Sequence, residues 1–251
     1  MSFPQRILIG IATMLILAPM DRGEAGETLV AVAANVAQAL PDIGRAFEAH
    51  DGHRMTFTIG STGKLYAQII RGAPFDILLA ADQARPARLV ASGHAVPSSQ
   101  FTYALGRLSV WTSEVGLAPE AVRQRLRDGE FRRLAIANPA LAPYGVAAED
   151  ALQHLGILDR TQARLVMGQN VGQAFSLVAT GNADLGLVAR ALVDGRDGSR
   201  WDIPSALHRP IAQDAVLLTR ALSNDAANDF MAFLVSNDAR AIFHRFGYGV
   251  D

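Results

Sequence analysis

The sequence predicts an α/β protein made of mainly parallel sheets covered by helices. Two observations carry this expectation. Apolar, β-rich runs alternate with segments of helical periodicity along most of the chain, the order that parallel strands and crossover helices require. The same unit of strand, small-residue turn and helix also occurs twice early on, around LVAVAAN and around MTFTIGSTGK. With 251 residues, half of them hydrophobic and 19% charged, the chain can build one or two such domains.

The elements follow in order. LVAVAAN, residues 29–35, is a strand ending on Asn35, a residue type favoured at helix N-caps. Val36, Leu40, Ile43 and Phe47 then recur at helical spacing. Pro41 falls inside that pattern and has no N–H to give, so either the first turn is distorted or the regular helix starts late. MTFTI is a second strand, Ser61 to Lys64 open a helix that breaks at Gly72-Ala73-Pro74, and FDILLAA is a third strand. Beyond a Pro/Ser loop at 97–99, Leu105 to Thr112 is a β-rich run. Val122 to Phe131 is a charged helix, LAIAN a strand, and Val146 to Leu155 a helix closed by Gly156. Arg164 to Met167 is a short strand, Val171 to Thr180 a helix and LGLVA a strand. DGRDGSR, residues 194–200, is a polar loop. Ala215 to Thr219 is a strand, and two helices finish the chain.

Composition narrows the function. The net charge of −1 offers no basis for binding nucleic acid. Without cysteine there are no disulfides, thiolate metal sites or cysteine nucleophiles. Arg6, the apolar run at residues 7–20 and the small residues Gly23 and Ala25 form the pattern of a secretory signal peptide cleaved near Ala25. The run is short for a membrane span, and a retained anchor is the competing reading. A lipoprotein anchor needs a cysteine that is not there.

The turn at Ser61-Thr62-Gly63-Lys64 is the first candidate site. The first N–H groups of a helix have no internal partner and lie at the positive end of its dipole, so an anion can approach them. Taken alone, an ordinary Ser/Thr cap explains the residues equally well. The turn at Asn35 is of the same kind. Two more stand in the second half: Pro143-Tyr144-Gly145 and Gly168-Gln169-Asn170-Val171-Gly172. Gly145 permits close backbone approach, and the Tyr144 hydroxyl can donate a hydrogen bond. A surface turn and a bare N-cap at Asn170 are the alternatives there.

Taken in order, VAVAAN, GSTGKLYAQIIRGAPFDILLAADQ, FTYALGRL, IANPALAPYGVAAEDAL, NVGQAFSLVATGNADLGLVA and QDAVLL resemble the periplasmic molybdate-binding proteins of ABC importers. The similarity runs from about Leu29 to Tyr248. It implies a two-lobed periplasmic binding protein of type II, each lobe a mainly parallel sheet with flanking helices, with the ligand in the interlobe cleft. The implied division is a signal peptide at 1–25, a discontinuous first lobe at 27–105 plus 214–251, and a second lobe at 106–213. The crossings fall near Ala104–Leu108 and Ile211–Ala215. The implied ligand is molybdate or tungstate, held by neutral donors with no cofactor and no catalysis; metal enters only as the centre of the oxyanion. The matching positions are Ala34, Asn35, Thr62, Tyr144 and Val171, the last through its backbone N–H. Ser61, Lys64, Gly145 and Asn170 are secondary candidates. Ala34 offers only backbone where relatives can carry a hydroxyl. Thr62 stands where Ser is more usual, and Ala189 where other members have a tyrosine that Tyr144 can replace. The implied partners are an inner-membrane permease with a separate ATPase, and the protein itself is expected to be a periplasmic monomer.

Other readings stay open at this level. Lys64 and Arg190 either reach the anion or are solvated. Another anion, such as sulfate, phosphate or a small phosphorylated or carboxylated metabolite, fits the same turns. An exported hydrolase or phosphotransferase would use Asp76 or Asp82, which flank one strand, although the chain has no GxSxG, HExxH, Walker or GxGxxG motif. His50 and His53 are the one histidine pair spaced to share a helix end.

Overall fold

Two five-stranded sheets organise the chain in a computed structural model that describes residues 25–249. The expected signal peptide lies, but for Ala25, outside the described residues. The chain begins with β1 (Glu27–Ala33), a single 3₁₀ turn at Ala34–Val36, and α1 (Leu40–Asp51). It continues through β2 (Arg54–Gly60), α2 (Thr62–Ile69), β3 (Ile77–Leu79), α3 (Ala84–Ala91) and β4 (Phe101–Gly106). The next stretch holds β5 (Leu108–Thr112), α4 (Pro119–Asp128), β6 (Leu134–Ala137), α5 (Pro143–His154), α6 (Leu158–Thr161) and β7 (Leu165–Gly168). Then come α7 (Val171–Ala179), β8 (Leu185–Ala189), α8 (Arg190–Val193) and β9 (Ser199–Asp202), and finally β10 (Ile211–Leu217), α9 (Asp225–Phe233) and α10 (Asn237–Arg245).

The sheets repeat one plan. The first runs β2-β1-β3-β10-β4 and the second β7-β6-β8-β5-β9. In each, three strands pair in parallel and a fourth joins antiparallel to both its neighbours, β10 in the first sheet and β5 in the second. This is the two-lobed, type II binding-protein architecture. The chain passes from the first sheet to the second at Arg107 and returns through residues 203–210.

Strand periodicity explains the layering. Val30, Val32, Ile77 and Leu79 face a layer with Phe47 of α1 and Phe230 of α9. Ala31 and Leu78, on the opposite face, pack with Leu65 of α2 and Leu89 of α3. The second sheet is buried on both faces in a single cluster that also takes in Ala33, Ala34 and Ala81 of the first lobe.

Several local expectations are refined. The helix after β1 does start late: Ala34–Val36 is 3₁₀, and Pro41 lies in the first turn of α1, where its missing N–H costs no interior bond. The β-rich run at Leu105–Thr112 is two strands in different sheets, because the chain stays extended while crossing. The polar loop at 194–200 ends in the edge strand β9. α3 was not anticipated: it is short and arginine-rich, and buries only Pro86 and Leu89.

Candidate functional site

Four strand ends converge between the lobes. Ala33 of β1 pairs with Gly60 of β2, so the turns at Ala34–Asn35 and Ser61–Thr62 lie side by side at the carboxyl edge of the first sheet. Ala137 of β6 pairs with Gly168 of β7, which does the same for the turns leading to Tyr144 and Val171. Ligands of open α/β sheets gather at such edges. Here the two edges face each other closely. The Gly63 N–H donates to the Leu141 carbonyl at 2.9 Å, across the lobes. Lys64 Nζ donates to Gln169 Oε1. A β-carbon placed on Gly172 would lie 3.6 Å from Ala34 Cβ.

All five principal candidates are buried, none more than 4% exposed. Among the described residues, no protein acceptor meets the backbone N–H of Asn35, Thr62, Tyr144 or Val171. The N-terminal positions of α2, α5 and α7 explain three of these orphans. The two hydroxyls add side-chain donors. Thr62 Oγ1 accepts from the Ala81 N–H at 3.0 Å, which leaves its proton unused by the protein. Tyr144 Oη accepts from Gln213 Nε2 at 3.5 Å and likewise keeps its proton. Burial holds the Tyr144 phenol well above its ordinary pKa, so it stays a neutral donor.

The secondary candidates have defined local roles. Ser61 Oγ accepts from the Lys64 N–H at 3.4 Å and caps α2. Asn170 Oδ1 accepts from the Gln173 N–H at 2.9 Å and caps α7. A β-carbon at Gly145 would stand 2.3 Å from the Ala137 carbonyl oxygen, so glycine is needed for α5 to start against the end of β6. Lys64 reaches across the cleft to Gln169 at the exposed rim. Arg190 points elsewhere: its Nε is 3.6 Å from Asp202 Oδ2, and it packs beside Gly247.

The Asn35 side chain is engaged behind the turn. Its Nδ2 donates to Gln213 Oε1 at 2.7 Å and to Tyr248 Oη at 3.1 Å, while its Oδ1 is buried with no partner among the described residues. Sequence reasoning gave Gln213, Tyr103, Tyr248 and Gly106 no role. They come from distant parts of the chain, and no local pattern links them to the turns; Gln213 and Asn35 stand 178 positions apart.

The groups an enzyme would need do not assemble. Asp76 and Asp82 lie beyond opposite ends of β3. Asp76 accepts from the Leu29 N–H at 2.8 Å and pairs with Arg220. Asp82 accepts from the Arg85 N–H at 2.8 Å and pairs with the Arg85 guanidinium. His50 meets Asp51, and His53 is held between the Gly26 N–H and Asp229.

Similarity to known proteins gives the family. Residues 28–249 match the family described as bacterial extracellular solute-binding protein. The chain is 38% identical over 249 residues to the molybdate-binding protein ModA of Rhodobacter capsulatus, covering 98% of each. It is 42% identical over 231 residues to the protein of the same name from Azotobacter vinelandii, covering 90% of this chain and 91% of that one. The solved structure of the periplasmic molybdate-binding protein of Azotobacter vinelandii superposes with a TM-score of 0.84 at 37% identity, covering 89% of this chain and 99% of that one.

Proposed function

The chain belongs to the bacterial extracellular solute-binding proteins, and from that premise we propose that it captures molybdate in the periplasm for an ABC importer. Tungstate, of the same shape and charge, is the expected second ligand. Loaded protein would pass the anion to an inner-membrane permease driven by a separate ATPase. The chain would work as a monomer after loss of a signal peptide near Ala25.

One observation carries this reading. Four backbone N–H groups and two hydroxyl protons, without acceptors among the described residues, belong to buried residues in turns that face each other across the lobes. Two basic side chains flank the Ser61–Lys64 turn, and both have protein partners: Lys64 bonds Gln169 at the rim, and Arg85, beside Gly63, pairs with Asp82. A tetrahedral dianion accepts hydrogen bonds at every oxygen and brings no proton. Fixed neutral donors suit it without burying an unpaired charge. Within this reading Ala34, Asn35, Thr62, Tyr144 and Val171 form the binding set. Lobe boundaries at 27–105 plus 214–251 and 106–213 are part of the same proposal; sheet membership supports the division except at Gly106 and residues 211–213, which pair within the first sheet.

A melting experiment tests the ligand. An anion that binds only the folded state stabilises it by about 2.7 kcal/mol at 100-fold excess over Kd. Molybdate and tungstate are expected to raise Tm strongly and sulfate weakly. A shift with sulfate or phosphate, and none with either metal oxyanion at millimolar concentration, would assign the site to another anion.

A further inference from the structure

Behind the candidate donors runs a buried chain of side-chain hydrogen bonds whose proton directions are fixed from one end. Tyr248 donates to the backbone carbonyl of Asn35 at 2.8 Å, so its oxygen is left as an acceptor. Asn35 must then turn its Nδ2 toward Tyr248, and the same nitrogen donates to Gln213 at 2.7 Å. Gln213 therefore presents Oε1 to Asn35; the Tyr103 hydroxyl lies 3.0 Å from that oxygen and 3.2 Å from the Ala80 carbonyl, and donates to this pair of acceptors. Only Gln213 Nε2 remains, and it faces Tyr144 Oη across the lobes at 3.5 Å, the longest link of the chain. Reversing the Asn35 amide would set its oxygen against the Tyr248 oxygen. The existing order stands even though it leaves Asn35 Oδ1 without a partner.

Backbone features hold the same group in place. Gln213 is fully buried and sits at the register shift between β10 and β4, where Gln213 opposes Ala104 and Asp214 opposes Thr102, with Tyr103 as the extra residue. Such bulges re-aim side chains beside functional sites. A β-carbon on Gly106 would lie 2.3 Å from Tyr144 Oη and 2.6 Å from Gln213 Nε2, so glycine at the crossing makes room for this pair.

We propose that Gln213 is a positioning residue for ligand binding: by donating to Tyr144 Oη it forbids that hydroxyl from spending its proton inside the protein and directs the proton to the bound oxyanion. This rests on the oxyanion reading above. Tyr144 becomes an obligatory donor. A ligand oxygen that itself carries a proton would meet a second proton there, so the arrangement favours anions that only accept.

The test is a double-mutant cycle read by titration calorimetry with molybdate, or with sulfate if the wild type binds only that. Wild-type titration comes first; if no oxyanion binds it, the oxyanion reading itself has failed. Given wild-type binding, Tyr144→Phe and Gln213→Met are each expected to weaken affinity at least tenfold. The double variant should be within about threefold of Tyr144→Phe alone, because without the hydroxyl there is no proton left to direct. A purely structural glutamine would give losses that multiply, and that result, or wild-type affinity in Gln213→Met, overturns the proposal. Gln213→Glu covers the case in which the methionine variant does not fold. It keeps an acceptor for Asn35 and Tyr103 but cannot donate to Tyr144 when ionised. It is expected to bind at least as weakly as Tyr144→Phe at pH 8, and to recover affinity toward pH 6 as the buried carboxyl takes up a proton. Binding equal to wild type and flat with pH would contradict the assignment.

Discussion

Thr62 and Tyr144 present the same chemistry from opposite lobes: an oxygen that accepts from the protein and a proton the protein does not use. A hydrogen bond to an ionised acceptor contributes roughly 1.5–3 kcal/mol. Thr62→Val and Tyr144→Phe remove one donor each with little change of shape, and each should weaken molybdate binding by about 10- to 150-fold. Lys64→Ala should change affinity little, and mainly through salt-dependent attraction, since the lysine bonds Gln169 at the rim. Titration of the three variants at two salt concentrations checks the ranking; abolition by Lys64→Ala with silent hydroxyl variants would move the site to other atoms. Because burial keeps the Tyr144 phenol protonated, the wild-type affinity should also stay level through pH 10. These residues were legible in the sequence because each stands in a turn between a strand and a helix. Gln213 was not, since what makes it matter is contact with residues on the 3₁₀ turn after β1, on β4 and on α5 that only the folded chain brings together.

At the scale of elements, what could be read was what local pattern decides. Helical spacing and caps gave α2, α5 and α7, and with them three of the four turns. The crossing at Arg107 falls inside the stretch Ala104–Leu108 that the family resemblance implied; local pattern alone did not mark it, because the chain is extended on both sides and which sheet a strand joins depends on distant partners. The return crossing carries a tie of its own. Arg209 donates to Asp150 of α5 through Nε at 2.7 Å, through a second guanidinium nitrogen at 3.0 Å and through its backbone N–H at 3.2 Å. The Arg209 side-chain hydrogen bond is the main cause that lowers the Asp150 pKa. A lowered carboxyl pKa means stability that is complete above the unfolded value of about 3.9 and is lost as pH falls through the folded value. Arg209 is largely exposed, so the contribution should be about 1 kcal/mol or less. Denaturant melts of wild type and Asp150→Asn should therefore differ modestly at pH 7, with the difference shrinking as pH falls below the unfolded carboxyl value and through the lowered folded one. A constant difference across that range would mean the pair is not the source.

For the whole molecule, the lobes are seen in contact. The bond from the Gly63 N–H to the Leu141 carbonyl, the Lys64 link to Gln169 and the inclusion of Ala33, Ala34 and Ala81 in the second lobe's core all describe a closed cleft. The five binding candidates are buried in this arrangement, and the two segments that connect the sheets, Arg107 and residues 203–210, are where opening would flex. Family membership was legible because six short motifs occur in the right order across the chain. The closed arrangement was not, because it is made by pairs such as Gly63 and Leu141 that no motif contains. The central claim is that neutral donors from both lobes select a tetrahedral dianion in this closed space. Calorimetric titration of the mature protein with molybdate, and in parallel with sulfate and phosphate, tests it most directly. The account predicts one molybdate per chain and much weaker binding of sulfate. Saturable binding of sulfate or phosphate with no heat from molybdate would contradict it.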